Sequence, residues 1–236
     1  MSVKKILLLG AAGAAAVGMT AAMAGGFTQE PMNASDSGYY IEAHAGYARQ
    51  NYFDNENYDT EGTNTGTGTN NNSNVTGGFS GGVDAGYKIN SNFAVEFGLF
   101  YLPDVNVMTS ATAGIAHAWM TSWALYLAGK YMMPIAWMNN TDAFFKLGVM
   151  YRSATLPAAA VASTGYGTTT GTSTFVRPMF ATGLDYSFSD AWSGIIQYAY
   201  FMGANNSFPL TAANSGSLGT VAANVFTLGL GYKFTV

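Results

Sequence analysis

The 236-residue chain contains no cysteine, and only 9% of its residues are charged. The lack of cysteine excludes a small disulfide-stapled secreted module. The charged fraction is far below the roughly one quarter found in typical soluble domains. The formal net charge of −4 provides no basic footprint for nucleic acid, so we expect no nucleic-acid partner. After residue 24 there is no run of 18 or more apolar residues, so the sequence predicts no membrane-spanning helix.

The N-terminal segment has the features of a secretory signal. Lys4 and Lys5 precede an uncharged stretch, and Ala22-Met23-Ala24 forms a small-x-small cleavage site. We therefore predict a signal peptide over residues 1–24 that is removed, a short periplasmic segment over 25–36, and one domain over 37–236. A retained signal anchor is the alternative, but the stretch is weakly hydrophobic for a spanning helix.

Eight segments of the chain alternate large apolar residues with small or polar ones. In the third, Phe93, Val95 and Phe97 alternate with Ala94 and Glu96. A period of two with one apolar face indicates a β-strand. The eight predicted strands cover approximately residues 39–48, 79–89, 93–101, 119–133, 145–152, 176–188, 192–200 and 226–236.

The connections between these segments alternate in length. Long polar loops follow the odd-numbered segments, at about 49–76, 103–118, 153–174 and 203–222, whereas short links follow the even-numbered ones, at 90–92, 134–142 and 189–190. This asymmetry is typical of barrels in the bacterial outer membrane, whose short turns are periplasmic. We predict an all-β fold, an eight-stranded antiparallel up-and-down transmembrane β-barrel in the cell outer membrane. A secreted soluble β-sandwich would require neither the asymmetry nor so few charges.

The charged residues of the predicted strands lie on the face opposite the large apolar residues. A charge on the lipid face costs roughly 2 to 4 kcal/mol at the bilayer midplane, so we expect these residues to point into the barrel. The predicted structural polar network of the lumen comprises Glu42, His44, Asp84, Lys88, Glu96, Lys130, Lys146, Arg152, Arg177, Asp185 and Lys233. Small inward residues leave some space beside them, and the pattern does not decide whether the charges plug the lumen or line a narrow path.

Four stretches carry a family resemblance: GYYIEAHAGY at 38–47, GGVDAGYKINSNFAVEFGLFYL at 81–102, RPMFATGLDYSFSD at 177–190 and the terminal LGLGYKF. With them the chain resembles the small outer-membrane β-barrel superfamily, which contains the OmpA transmembrane domain, opacity-type surface antigens and OmpW. Members usually end on an aromatic residue that the barrel-assembly machinery is thought to recognise, whereas here Thr235 and Val236 follow Phe234.

The resemblance implies a structural or antigenic surface protein, with adhesion through its exposed loops as a further expectation. The alternatives are a narrow pore or OmpW-like conduit for small or hydrophobic solutes, and a lipid A-modifying enzyme at the barrel rim. The implied partners are outer-membrane lipid and lipopolysaccharide, the barrel-assembly machinery during insertion, and a host or surface ligand bound by the loops.

The sequence contains little material for catalysis or metal binding. Of its two histidines, His44 shares the inward face of Glu42, and His117 lies at the expected outer rim with Asp104 and Ser122 nearby in sequence. No signature places these groups together, so we predict no enzyme, no catalytic residue, no cofactor and no metal ligand. The acidic stretch 54–61 lacks the spacing of an EF-hand, and we interpret it as a solvated loop. The alternative is that its carboxylates bind Ca²⁺ or bridge lipopolysaccharide through divalent cations.

Overall fold

The computed structural model describes residues 37–50, 76–106, 119–156, 171–209 and 217–234. The predicted signal peptide, the segment 25–36, the acidic stretch 54–61, His117 and the terminal Thr235-Val236 lie outside them. No helix in the described part of the chain is long and apolar enough to cross a membrane. The strands are β1 (Gly38–Gln50), β2 (Thr76–Lys88), β3 (Phe93–Asn106), β4 (Trp119–Pro134), β5 (Thr141–Leu156), β6 (Gly171–Ser187), β7 (Trp192–Phe201), β8 (Ala204–Pro209), β9 (Ser217–Thr220) and β10 (Ala223–Lys233).

Eight of these strands form a closed barrel in the order β1-β10-β7-β6-β5-β4-β3-β2. Every pairing is antiparallel, and the last strand closes the barrel on the first, with Ile41 opposite Tyr232. The remaining two strands, β8 and β9, form a separate hairpin between β7 and β10. The prediction of an eight-stranded antiparallel barrel is confirmed.

The register around the barrel sets the strand tilt. We start at Arg177 on β6 and move from each residue to its paired residue on the next strand around the barrel. This path returns to β6 at Ser187, ten positions further along the chain. The intermediate partners are Met150, Tyr126, Gly98, Asp84, Glu42, Gly231 and Ser193. In an eight-stranded barrel this stagger corresponds to strands tilted by roughly 40° from the axis. Residues distant in sequence therefore reach the same height in the lumen.

The two faces of the sheet differ sharply in burial. On β5, Lys146 is fully buried whereas its neighbour Leu147 is 61% exposed. Leu228 and Ile196 are likewise exposed on the outer surface. An apolar outer surface of this kind, with the charges inside, is the arrangement that a lipid environment requires.

Aromatic rings form two bands on the outer surface. Near the short turns, ring centroids lie 4.9 Å apart for Tyr39 and Tyr87, and 5.0 Å apart for Phe93 and Tyr131. Near the opposite end, Trp123 lies 5.7 Å from the ring of Tyr151. Aromatic belts at both ends of an apolar band match the two interfaces of a bilayer.

The strands on the long-loop side extend further than the alternation predicts. β3 continues to Asn106, and the pairing of β5 with β6 reaches Leu156 and Gly171 at the long-loop end. These ends lie within stretches that we expected to be loop. The predicted fourth loop contains the β8–β9 hairpin. These extensions have no face in contact with lipid, so their sequence lacks the apolar alternation of the barrel strands. The backbone hydrogen bonds between neighbouring strands nevertheless continue.

Two glycines provide a matched test of the filled interior. An added Cβ at the inward Gly98 would lie well inside van der Waals contact of Asp84 and the Tyr126 ring, whereas one at the outward Gly129 would meet nothing within 4 Å. Gly98→Ala is expected to destabilise the barrel by roughly 1 to 3 kcal/mol through overpacking. Gly129→Ala is expected to stabilise it by roughly 0.4 to 1 kcal/mol through lower unfolded-state entropy. Denaturant unfolding in lipid vesicles measures both, and equal effects would contradict the inward packing.

Candidate functional site

A cluster of charged side chains fills the half of the lumen nearest the short turns. Its members, hereafter the ion cluster, are Glu42, His44, Asp84, Glu96, Lys130 and Lys146, and each is at most 3% exposed. Lys146 Nζ lies 2.5 Å from Glu96 Oε2, 3.1 Å from Asp84 Oδ2 and 3.4 Å from Glu42 Oε2. Lys130 Nζ lies 2.7 Å from Glu42 Oε1 and 3.1 Å from Glu96 Oε1. Two ammonium groups thus bridge three carboxylates across the barrel.

Two tyrosines, one on β1 and one on β4, complete the bonding of the carboxylates. The Tyr40 hydroxyl donates to Glu96 Oε1 at 2.6 Å, and the Tyr126 hydroxyl donates to Asp84 Oδ2 at 2.6 Å. Charges held in a low-dielectric interior are tolerated only when they are both paired and hydrogen bonded. Neither tyrosine belongs to the predicted polar network, which contained charged residues and a histidine, although their even-numbered positions lie on the same inward faces as Glu42 and Lys130.

His44 joins the cluster through one ring nitrogen. Its Nε2 lies 3.2 Å from Glu42 Oε2 and 3.3 Å from Asp84 Oδ2. These three residues resemble a metal-ligand set, with candidate ligand atoms within 4.8 Å of one another. The Lys146 ammonium contacts the same two carboxylate oxygens, so a cation is already part of the site, and the donor set fits a divalent metal poorly.

An apolar layer lies next to the ion cluster, toward the long-loop end. It consists of Phe100, Tyr126, Met150, Met179 and Phe201, each at most 2% exposed, and is called the aromatic plug below. The Phe100 and Phe201 rings are 5.6 Å apart in an edge contact, and the Tyr126 and Phe201 rings are 6.2 Å apart. Glycines opposite the rings make room for them, since an added Cβ at Gly82 would collide with Phe100. The space beside the small inward residue Gly82 is therefore occupied.

A buried arginine closes the end of the lumen beyond the plug. Arg152 Nη1 donates to the Val221 carbonyl at 2.6 Å, and Nη2 donates to Gln50 Oε1 at 2.5 Å and to Ser122 Oγ at 3.2 Å. Gln50 in turn donates to the Pro103 carbonyl at 2.8 Å. This group, the Arg152 clamp, ties the ends of β1, β3, β4 and β5 to the segment that links β9 to β10. Arg152 therefore lies in the lumen but in a cluster of its own.

The remaining predicted network residues lie at the two rims. Asp185 Oδ2 is 3.9 Å from Lys130 Nζ at the edge of the ion cluster. Lys88 and Lys233, with Asp142 and Asp185, line a cavity of about 70 Å³ at the short-turn end.

Arg177 departs from the prediction, because it is exposed at the long-loop rim. Its strand pairs with β7 only as far as Met179 and Phe201, so the wall that would cover Arg177 on that side has already ended.

The arrangement of these groups limits what the barrel interior can do chemically. His44 is 1% exposed, so no lipid or solute reaches its ring without displacing the groups around it. Ser122 bonds to Arg152 inside the clamp, and Asp104 lies near the end of β3. Ser122 is 4% exposed, so its hydroxyl is not presented to a substrate at the rim.

Comparison with known proteins agrees with this architecture. The chain is 27% identical, over 98% of its length and 99% of the relative's, to an uncharacterized protein of Coxiella burnetii strain RSA 493. Its fold is similar to that of the Neisserial surface protein A, with a TM-score of 0.51 at 14% identity, covering 86% of this chain and 99% of that one. The outer membrane protein OprG from Pseudomonas aeruginosa aligns with a TM-score of 0.47 at 16% identity, covering 88% and 100%.

A family model supplies the remaining link. The model described as the outer membrane protein beta-barrel domain matches residues 19–234. That range includes all eight strands of the closed barrel. The chain therefore belongs to the outer membrane protein beta-barrel family, and its place is the bacterial outer membrane.

Proposed function

We propose that this protein acts as a structural surface barrel that works through its extracellular end and does not conduct solutes through its lumen. The observation that carries the proposal is the filling of the lumen along its length. The ion cluster, the aromatic plug and the Arg152 clamp follow one another from the short-turn end to the long-loop end. A solute would have to displace buried, mutually bonded groups at each of these three levels.

The energetic cost of such displacement supports a structural role. Moving Lys146 aside would separate one ammonium from three carboxylates in the barrel interior. Breaking a buried ion pair costs roughly 3 to 5 kcal/mol when one partner is left uncompensated. The ion cluster therefore holds β1, β2, β3, β4 and β5 together from the inside, and this contribution to barrel stability is what we assign to it.

The long-loop end offers surfaces for contact with the environment. By the general rule for such barrels this end is extracellular, because the short turns are periplasmic. β5 and β6 pair up to Leu156 and Gly171, past the last residues that pair β6 with β7. The projecting part of β6 exposes Thr172, Thr174 and Arg177. We propose that a host or environmental ligand, and lipopolysaccharide beside the barrel, contact this end.

A conductance measurement tests the closed lumen. Purified full-length protein in planar lipid bilayers is expected to show no single-channel steps above those of protein-free bilayers, because no continuous aqueous path crosses the three filled levels. Heat-modifiable migration on a gel would verify folding in the same preparation. Reproducible ohmic steps from the folded form would overturn the proposal and favour the narrow pore or OmpW-like conduit.

Adhesion through the extracellular end needs a separate experiment. In a non-adherent host bacterium, the full chain is expected to raise binding to animal cells or matrix proteins, and replacing residues 51–75 or 157–170 with short Gly/Ser linkers is expected to lower it. Unchanged heat-modifiable migration would show that the barrel itself is intact. Equal binding by all variants would limit the proposal to the structural role.

We propose no enzymatic activity for the barrel interior, because His44 is enclosed by its bonding partners. His117 lies outside the described residues, so the alternative of a lipid A-modifying enzyme at the barrel rim is tested by experiment. Lipid A from cells that overexpress the chain is expected to have an unchanged mass. An altered mass that disappears with His117→Ala would replace our proposal with the lipid A-modifying enzyme.

A further inference from the structure

Three buried polar atoms lie on one wall of the lumen with no hydrogen-bond partner among the described residues: His44 Nδ1, Gln197 Oε1 and Thr227 Oγ1. The three residues are 1%, 2% and 3% exposed. A buried donor or acceptor without a partner carries its full desolvation penalty, so native structures rarely leave one unsatisfied. Three such atoms in one region point to a shared partner that is not a side chain.

The register places the three residues next to one another. β1, β10 and β7 are consecutive strands of the barrel. Thr227 on β10 pairs with Gln197 on one side and with Gly46 on the other, and Gly229 pairs with His44. His44 Nδ1 faces β10, since a Cβ at Gly229 would lie 2.7 Å from it. All three polar groups therefore lie on the inner surface around Thr227 and Gly229.

The chemistry of the three atoms fits water. Carboxylates only accept hydrogen bonds, so His44 Nε2 donates to Glu42 and Asp84, and its ring turns Nδ1 away from the ion cluster. The Thr227 hydroxyl can donate or accept, and Gln197 Oε1 accepts. A buried water molecule typically makes about three hydrogen bonds of this mixed kind.

A cavity lies near this wall on its short-turn side. Gly231, two positions beyond Gly229 on the same inward face of β10, lines the cavity at the short-turn end together with Glu42 and Ser193. An added Cβ would lie 2.7 Å from His44 Nδ1 at Gly229 and 2.7 Å from Ser193 Oγ at Gly231, so polar atoms lie directly over both glycines. Glu42 both lines this cavity and lies 3.2 Å from His44 Nε2, so the cavity ends one side chain away from His44.

We propose that His44 Nδ1, Gln197 Oε1 and Thr227 Oγ1 together bind an internal water molecule, which links β1, β7 and β10 where the last strand closes the barrel on the first. The site is separate from the direct ion pairs and from the closed-lumen function. The bound water hydrates the side of the His44 ring that faces β10. The opposite side of the ring faces Phe100, whose ring centroid lies 5.7 Å away.

Water-edited solid-state NMR of the full chain in lipid bilayers tests this site. Because the chain has two histidines, His117→Gln leaves His44 as the one source of imidazole signals under ¹⁵N-histidine labelling. ¹³C-phenylalanine labelling with resonance assignment supplies the Phe100 ring signal, and magnetisation from water is expected to reach the His44 ring several-fold faster than it reaches the Phe100 ring in the aromatic plug. Equal, slow transfer to both rings would show a dry site and would overturn the proposal without any further variant.

Two nearly isosteric variants locate the water. Thr227→Val and Gln197→Leu each remove one of its partners, and each is expected to slow transfer to His44 at least two-fold. The control is Thr182→Val, which removes a hydroxyl from the exposed face of β6, where it donates to the Phe144 carbonyl. Transfer that stays at the wild-type rate in a correctly inserted Thr227→Val and Gln197→Leu barrel would contradict the assignment.

Discussion

Lys146→Met is expected to destabilise the folded barrel by roughly 3 to 5 kcal/mol, the range observed when one partner of a buried ion pair is removed. The substitution keeps most of the side-chain volume but takes away the ammonium that lies within 3.4 Å of Glu42, Asp84 and Glu96. Of the two ammonium groups in the ion cluster, these three carboxylates would then keep Lys130 alone. The measurement is equilibrium unfolding by denaturant in lipid vesicles, followed by tryptophan fluorescence and heat-modifiable migration.

Two further variants make the Lys146 result specific. Arg177→Met also removes a cation, but from the exposed rim, and is expected to change stability by less than about 0.5 kcal/mol. Adding Glu96→Gln to Lys146→Met restores the charge balance of the ion cluster and is expected to recover part of the loss. If Lys146→Met and Arg177→Met had the same small effect, the ion cluster would not stabilise the barrel.

Arg152→Met is expected to cost roughly 2 to 4 kcal/mol, because hydrogen bonds to charged groups are worth more than neutral ones and their loss leaves buried acceptors unsatisfied. The affected acceptors are Gln50 Oε1, Ser122 Oγ and the Val221 carbonyl. Since Val221 follows β9 directly, the β8–β9 hairpin also loses this hydrogen bond to the lumen. The expected result is a lower unfolding midpoint together with faster protease cleavage near residues 203–222.

The planar, forked guanidinium of Arg152 leads us to expect an order of barrel stability among substitutions at this position. Arg152→Lys is expected to recover only part of the stability, because a single ammonium cannot reproduce the divergent geometry in which Nη1 and Nη2 serve different acceptors. Arg49→Met, at an exposed arginine of β1, is the control and is expected to be nearly neutral. An Arg152→Met barrel as stable and as protease-resistant as the Arg49→Met barrel would rule out the clamp.

Much of the architecture follows from periodicity in the sequence. An outer face in contact with lipid must be apolar at every second position, and Leu147 beside Lys146 shows that rule within one pair. Unequal connection lengths indicated an up-and-down order, and the closed sheet confirms it. The extensions of β3, β5 and β6 escaped notice, because beyond the lipid band either face of a strand can be polar.

Which inward residues meet was not readable from the same pattern. Glu42 and Lys146 are 104 positions apart and lie on strands that are not neighbours, yet their side chains contact across the lumen. Arg152 and Arg177 lie on the same face of the sheet as Lys146. Arg152 is nevertheless buried in the clamp, whereas Arg177 is exposed at the rim. The difference arises where β7 ends beside β6, and that end is a property of the assembled sheet.

The sequence by itself determined how many strands the barrel has, which face of each is apolar, and that the protein belongs in a membrane, because those properties repeat with the two-residue period of a strand. The tertiary structure decided that the charges form one ion cluster, that aromatic rings and Arg152 fill the rest of the lumen, and that a polar wall remains at the closure. Closing the sheet with a ten-residue stagger brings distant strands to the same height, and no local pattern contains that offset.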